Sequence, residues 1–191
     1  MQALRAAHQA GIVARVDPRD LVFVDESGCN RAMTRLYARS PCGTRARGTA
    51  PRNWGDNVSI VSALSLAGIV ETMHLAGAIN GEAFLLYLDK FLLPKLWPGA
   101  VVVMDNLGAH KLKAVRAKIE AKGARLVYLP PYSPDFNPIE LAWSKLKSFL
   151  RKAAARTTAA LDAAIAEGLK TLTAQNAQNW FHHCGYLGLP N

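Results

Sequence analysis

The sequence predicts an α/β protein: a mixed sheet made of a β-meander, then helix, strand, helix, strand and helix, with helices on both faces. Three observations carry that expectation. Leu21 to Val24 and Val101 to Met104 are runs of four apolar residues. A strand apolar on both sides suits the middle of a covered sheet. Both runs stop at an acid, Asp25 and Asp105. Segments with apolar residues at helical spacing lie between and after them, which implies helices layered on the sheet.

In chain order, Gln2 to Gln9 reads as a short helix ended by Gly11 and the Asp17-Pro18 break, so residues 1–19 read as a linker or remnant helix. After the first strand, Thr34 to Ala38 and Val58 to Leu66 are β-rich, and Gly68 turns the chain into Ile69 to Ala76. Asn80 to Leu96 places Phe84, Leu85, Leu88, Phe91 and Leu92 on one helical face and closes at Trp97-Pro98-Gly99. His110 to Lys122 is a basic helix ended by Gly123, and Leu126 to Leu129 is a strand. Pro130 to Pro138 is an irregular loop. Helices follow from about Asn137 to Lys152, from Ala159 to Thr171 and near Gln175 to His182. The expected organisation is 1–19, a main domain over 20–152, and a helical extension over 153–191.

Of 191 residues, 23 are Lys or Arg and 14 are Asp or Glu, a formal charge of +9. That excess points to a polyanionic partner, nucleic acid foremost. Half the residues are hydrophobic, which excludes a disordered chain, a collagen or a disulfide mini-protein. Cys29, Cys42 and Cys184 are odd in number and form no CxxC pair, and His182-His183-Cys184 is too compact for zinc. A reducing cytoplasm is therefore expected. No apolar stretch is long enough for a bilayer and no export signal is read, so no membrane association is expected.

The cations are clustered. No acid occurs from Ser27 to Gly55, where Arg31, Arg35, Arg39, Arg45, Arg47 and Arg52 fall, nor from Leu141 to Leu161, which holds Lys145, Lys147, Arg151, Lys152 and Arg156. On the helix after the proline-rich loop, Ile139, Trp143, Leu146 and Leu150 share one face, with Glu140, Lys147 and Arg151 on an adjacent stripe. Trp97 and Trp143 read as core; Trp54 reads as core or as a base-stacking residue.

If the two aspartate-terminated strands are neighbours, their carboxylates emerge side by side and need a cation between them. A lone strand-end aspartate more simply begins a turn. Glu140 also has two readings. Asn137, Pro138 and Glu140 form an Asn-x-x-Glu capping box that would stabilise any helix. Alternatively, Glu140 is a third metal ligand, delivered by a loop with four prolines. The combination decides: Asp105-Asn106, thirty-four residues between Asp105 and Glu140, then Asn137-Pro138-Ile139-Glu140.

Those segments, with Val22-Phe23-Val24-Asp25-Glu26-Ser27, His110-Lys111, Leu129 to Glu140, Trp143, Lys147 and Arg151, resemble the catalytic domain of a DDE transposase of the mariner superfamily, in its bacterial insertion-sequence branch. The resemblance covers roughly 20–152. It implies an RNase H-like fold in which Asp25, Asp105 and Glu140 hold two Mg²⁺ or Mn²⁺ ions. Such ions, about 4 Å apart, activate water and stabilise a leaving oxygen, and carboxylates suit them as ligands. It further implies DNA cleavage and strand transfer, element ends and target DNA as partners, and a homodimer. Arg45, Arg47, Arg52, Lys147 and Arg151 are the candidate phosphate contacts. Asn106 orients Asp105 or starts a turn; His110 supports the acids, faces DNA or opens the next helix. Residues 1–19 are too few for the helix-turn-helix modules of this family, so end recognition is expected from a separate polypeptide or an upstream reading frame. The rivals are a non-catalytic DNA-binding remnant and another RNase H-like nuclease.

Overall fold

The computed structural model describes residues 2–53 and 55–187. Five strands, β1 (Leu21–Cys29), β2 (Val58–Ser65), β3 (Gly68–Ala76), β4 (Val101–Met104) and β5 (Arg125–Tyr128), form one sheet in the order β3-β2-β1-β4-β5. β1, β2 and β3 are an antiparallel meander, whereas β4 and β5 add in parallel to β1. Parallel neighbours need crossovers, here helical. α2 (Gly81–Tyr87), continued by a wider turn over Leu88–Leu92, leads into β4, and α3 (Lys113–Ala121) leads into β5. α4 (Pro138–Ala153), α5 (Thr158–Lys170) and α6 (Ala174–His183) follow, and α1 (Gln2–His8) precedes the sheet.

Strand alternation assigns the faces. Leu21, Phe23, Ile60 and Val103 pack against Ile139, Trp143, Leu146, Leu150, Ile165 and Phe181 of the last three helices. Val22, Val24, Val61, Val102 and Met104 pack against Phe84, Tyr87, Leu88, Val115 and Ile119 on the other side. Each large side chain so buried contributes about 1.5–3 kcal/mol. Helices thus cover both faces, as the apolar runs predict. Among the described residues no helix is long and apolar enough to cross a membrane.

Three local expectations are corrected. Thr34 to Ala38 is not a strand: β2 pairs directly with β1 along nearly its whole length, Val22↔Ser65 to Cys29↔Val58, and Leu36 and Tyr37 are 74% and 90% exposed. The Asn80–Leu96 helix is wound in two pieces, ending at Leu92. His110 does not open α3; it lies in a short 3-10 turn, Ala109–Lys111, separated from the helix by extended Leu112. Trp143 is core, Trp97 is half-buried with its indole N–H donated to Asp20, and Trp54 lies outside the described residues.

Candidate active site

β4 pairs with β1 only as far as Val24↔Met104, while β1 continues alongside β2 to Cys29↔Val58. Asp25 is therefore inside its strand toward β2 and at the carboxyl edge toward β4, which corrects the expectation that the strand stops there. Asp25 and Asp105 directly follow the last paired residues of two parallel neighbours, and they continue the alternation of Phe23 and Val103 toward the α4 side. Glu140 enters from the first turn of α4. All three acids line one cleft of about 490 Å³, together with Asn106, Leu107, Asn137 and the Leu129–Pro134 wall.

Asp25 Oδ1 accepts the Glu26 N–H at 2.8 Å, and Oδ2 accepts from Asn137 Nδ2 at 3.3 Å. Asn137 is thus turned away from its helix. Its side chain makes no cap and the Asn-x-x-Glu box does not form; only its backbone carbonyl receives the Glu140 N–H, at 3.1 Å. Pro138 at the first helical position lacks an N–H and leaves one fewer donor to cap. Burial, then the charge of Glu140, pushes the Asp25 carboxyl up to about 7, against the pull of the Glu26 N–H.

Behind Asp105 is fully buried His110. Its Nε2 is 2.9 Å from Glu26 Oε1, and its Nδ1 is 2.7 Å from Asp105 Oδ1. The second contact is short but off the donor axis, so it acts as a charge contact rather than an aligned hydrogen bond. Phe84 covers the imidazole at 4.5 Å between ring centroids. Burial alone would lower the His110 pKa, but Asp105 and Glu26 outweigh it and hold it up at about 9. Burial likewise works against ionised Asp105, yet His110 and the Leu107 N–H, 2.9 Å from Oδ1, keep this carboxyl below its usual value. His110 thus lies buried behind the acids, in contact with Glu26 and Asp105 and without exposed surface. Asn106 does not orient Asp105; it donates to Leu129 O at 2.6 Å, tying the end of β4 to the chain leaving β5. Glu26 is the residue that reading the sequence missed. Its Oε2 is buried without a partner, and its only signal was its place beside Asp25.

The donor set is carboxylate oxygen, and burial together with the charge of Glu140 pushes the Asp25 carboxyl up to about 7, a crowding of acids that a cation would relieve, so hard divalent cations fit. No three acids among the described residues already stand as a closed metal cage.

The cations divide. Lys147 and Arg151 are half-buried on α4 and line a groove with Cys29, Met33, Ala50 and Pro51. Arg47 lines a shallow hollow with Arg35 and Arg39, while Arg45 and Arg52 are simply exposed. Two other cations are structural. Lys145 is held by Thr171 O and Asn176 Oδ1 at 2.6 and 2.5 Å, and Arg156 donates to Arg31 O and Met33 O at 2.8 and 3.0 Å.

Acids on neighbouring parallel strands and on a helix over the same sheet edge, in this strand order, define the class: an RNase H-like fold. The family model described as DDE superfamily endonuclease matches residues 20–162, and the chain belongs to that superfamily. No curated protein sequence matches. Among solved structures, the catalytic domain of Mos1 mariner transposase is similar at TM-score 0.66 and 14% identity, over 96% of this chain and 84% of that one. A pre-cleavage Mos1 transpososome gives TM-score 0.69 at 16% identity, over 96% of this chain and 57% of the other. A Mos1 paired-end complex with Mg gives 0.67 at 19%, over 95% and 56%. The chain therefore has the fold of a mariner-type transposase catalytic domain and spans somewhat over half the length of the Mos1 chains in those complexes.

Proposed function

We propose that the chain is the metal-dependent endonuclease and strand-transfer domain of a cut-and-paste DNA transposase. The observation that carries this reading is the meeting of Asp25, Asp105 and Glu140 at one sheet edge, with Asp25 pushed up to about 7 by burial and by Glu140. In this reading the three acids hold two Mg²⁺ or Mn²⁺ ions. When bound, the ions would lower the pKa of an attacking water and stabilise charge on a leaving 3′ oxygen.

The chain's own residues prepare that chemistry. Asn137 and the Glu26 N–H fix the Asp25 carboxyl, which gives up its proton when the site is filled. His110, balanced by Glu26, fixes Asp105. Asn106 and the prolines at 130, 131, 134 and 138 stiffen the wall from which Glu140 projects. In the first step water oxygen attacks phosphorus and the bond to the 3′ oxygen breaks. In the second, the freed 3′ hydroxyl attacks a target phosphodiester and again displaces a 3′ oxygen. Lys147 and Arg151, with Arg45, Arg47 and Arg52, hold the DNA backbone beside the cleft.

Residues 20–152 are the catalytic unit in this reading, with the C-terminal helices backing α4. Cutting two element ends calls for two copies of the chain. A DNA-acting chain of this branch works in the bacterial cytoplasm. The test is nicking of supercoiled plasmid with Mn²⁺, with and without chelator. Chelator-sensitive nicking that disappears in Asp25→Ala, Asp105→Ala and Glu140→Ala supports the reading. DNA binding with no metal-dependent cleavage would make the chain a non-catalytic remnant.

A further inference from the structure

The turn that leads into α4, Pro134–Phe136, is a three-residue 3-10 turn outside the sheet ladder. It is held from both ends of the chain. Arg5 on α1 donates Nη1 to Ser133 Oγ at 2.8 Å and to Asp135 Oδ1 at 2.9 Å, and Nη2 to Asp135 Oδ2 at 2.5 Å. Its guanidinium carbon lies 4.6 Å from the centroid of the Phe136 ring. Beneath, Tyr186 Oη donates to Phe136 O at 2.7 Å and meets His8 Nε2 at 2.9 Å. Since the phenol proton goes to the carbonyl, His8 donates to the phenol oxygen. His8, Tyr186 and Phe136 are all buried. Arg5, His8 and Tyr186 lie outside the segment matched by the family model.

One residue past this turn, Asn137 reaches Asp25, and Glu140 follows in the first turn of α4. We propose that Arg5 is a positioning residue of the metal site, acting through Ser133 and Asp135 on the turn that brings Asn137 to Asp25 and aims Glu140. The ion pair with Asp135 is at the surface, the side chains being 34% and 56% exposed, so it adds little to stability. Its worth lies in geometry, because misplacing a group in an active site by about 1 Å can cost a hundredfold in rate. The proposal rests on the three acids binding metal; it does not require that the chain cleave DNA.

The experiment uses the full chain with Arg5→Ala, Arg5→Lys and the charge swap Arg5→Asp/Asp135→Arg. Three quantities are read: the Mn²⁺-dependent rise in melting temperature without DNA, the Mn²⁺ dependence of plasmid nicking, and the salt dependence of DNA binding. Arg5→Ala should melt within about 2 °C of the parent without metal, as loss of a surface pair implies. It should need about tenfold more Mn²⁺ for half-effect in both titrations, the lower end of the cost of losing a group that orients a ligand. Arg5→Lys, which keeps the charge but loses the fork, should recover part of this, and the charge swap most of it. A parental Mn²⁺ titration in Arg5→Ala would overturn the proposal, as would failure of the swap to rescue. A shallower salt dependence with unchanged Mn²⁺ dependence would also overturn it, by making Arg5 a phosphate contact. A large loss of metal-free stability shared by Arg5→Lys would overturn it by making Arg5 a structural prop. If no form nicks DNA but the Mn²⁺-dependent melting shifts as stated, the catalytic reading fails and the positioning role stands.

Discussion

Asp25 and Asp105 sit on strands whose neighbours are set by ladder register, and each carboxylate is gripped by named partners. Arg35, Arg39, Arg45, Arg47 and Arg52 lie on the connection between β1 and β2, which forms neither helix nor strand over its described residues and leaves these arginines exposed. Asp25, Glu26 and Asp105 are buried or half-buried and interlocked with Asn137 and His110, and of the acids lining the cleft only Glu140 is exposed; the arginines are more numerous, and their connection is held by little beyond the Arg156 bonds to Arg31 O and Met33 O. The difference follows the two chemistries. Ligating metal requires atoms placed within fractions of an ångström, so it belongs where the backbone is over-determined. Attracting phosphates requires charge but little geometry, so it tolerates an irregular chain. A connection this long with no secondary structure of its own is uncommon in a compact domain unless it serves function.

The largest effect expected is on the acid side. Asp25→Ala, Asp105→Ala or Glu140→Ala should each reduce Mn²⁺-dependent nicking by about a thousandfold or more, since each removes several kcal/mol of charge stabilisation. Circular dichroism should show the fold unchanged. Full nicking by Glu140→Ala would reduce that residue to a helix-start acid and break the comparison.

His110→Ala should be next, because it leaves Glu26 and Asp105 without the charge between them. Breaking a buried pair costs about 3–5 kcal/mol, so thermal unfolding should show a drop of several degrees, together with about a 10- to 100-fold weaker response to Mn²⁺. Arg45→Ala, by contrast, should leave the melting temperature where it was. Equal losses from the two substitutions would mean that the arginine-bearing connection is as structurally committed as the cleft.

The pH dependence sharpens the same contrast. Asp25 is raised in the folded chain, so its contribution to metal-free stability is present below the ordinary carboxylate value near 4 and is lost as pH rises through about 7. His110 is also raised; its contribution is present below the ordinary value near 6.5 and is lost as pH rises through about 9. Metal-free melting temperature should therefore fall across this range. Apparent Mn²⁺ affinity should rise about tenfold per pH unit below 7, because Asp25 releases one proton on binding. Calorimetric titration at several pH values measures it; a flat profile would show that Asp25 is already ionised.

The smallest effects belong to the cations. Log affinity for DNA should fall linearly with log salt at about −0.9 per phosphate contact, and Lys147→Ala or Arg151→Ala should reduce the slope by about one. Arg45→Ala, Arg47→Ala and Arg52→Ala should act in the same sense. Filter binding across a salt series reads this, and a slope near zero would remove the phosphate-binding role.

Much of the cleft is legible in the sequence, because its signals are local. Runs such as Leu21–Val24 declare a covered strand wherever it lies, and the spacing of Ile139, Trp143, Leu146 and Leu150 declares a buried helix face, here confirmed residue by residue. The same locality misled at Thr34–Ala38, where β-prone residues found no partner strand. It also left Asn137 with two roles, because a cap and a carboxylate clamp need the same side chain at the same position.

By itself, then, the sequence determined the layered α/β class, the three acids and the clusters of cations, since residue type and period are properties of the chain. Only the tertiary structure decided which way each polar side chain turns. Asn137 reaches Asp25 across 112 positions, His110 reaches Glu26 across 84, and Arg5 reaches Asp135 across 130. The physical reason is that such contacts depend on strand register, on the face to which alternation sends a residue and on packing between layers, none of which is encoded within a few residues of either partner.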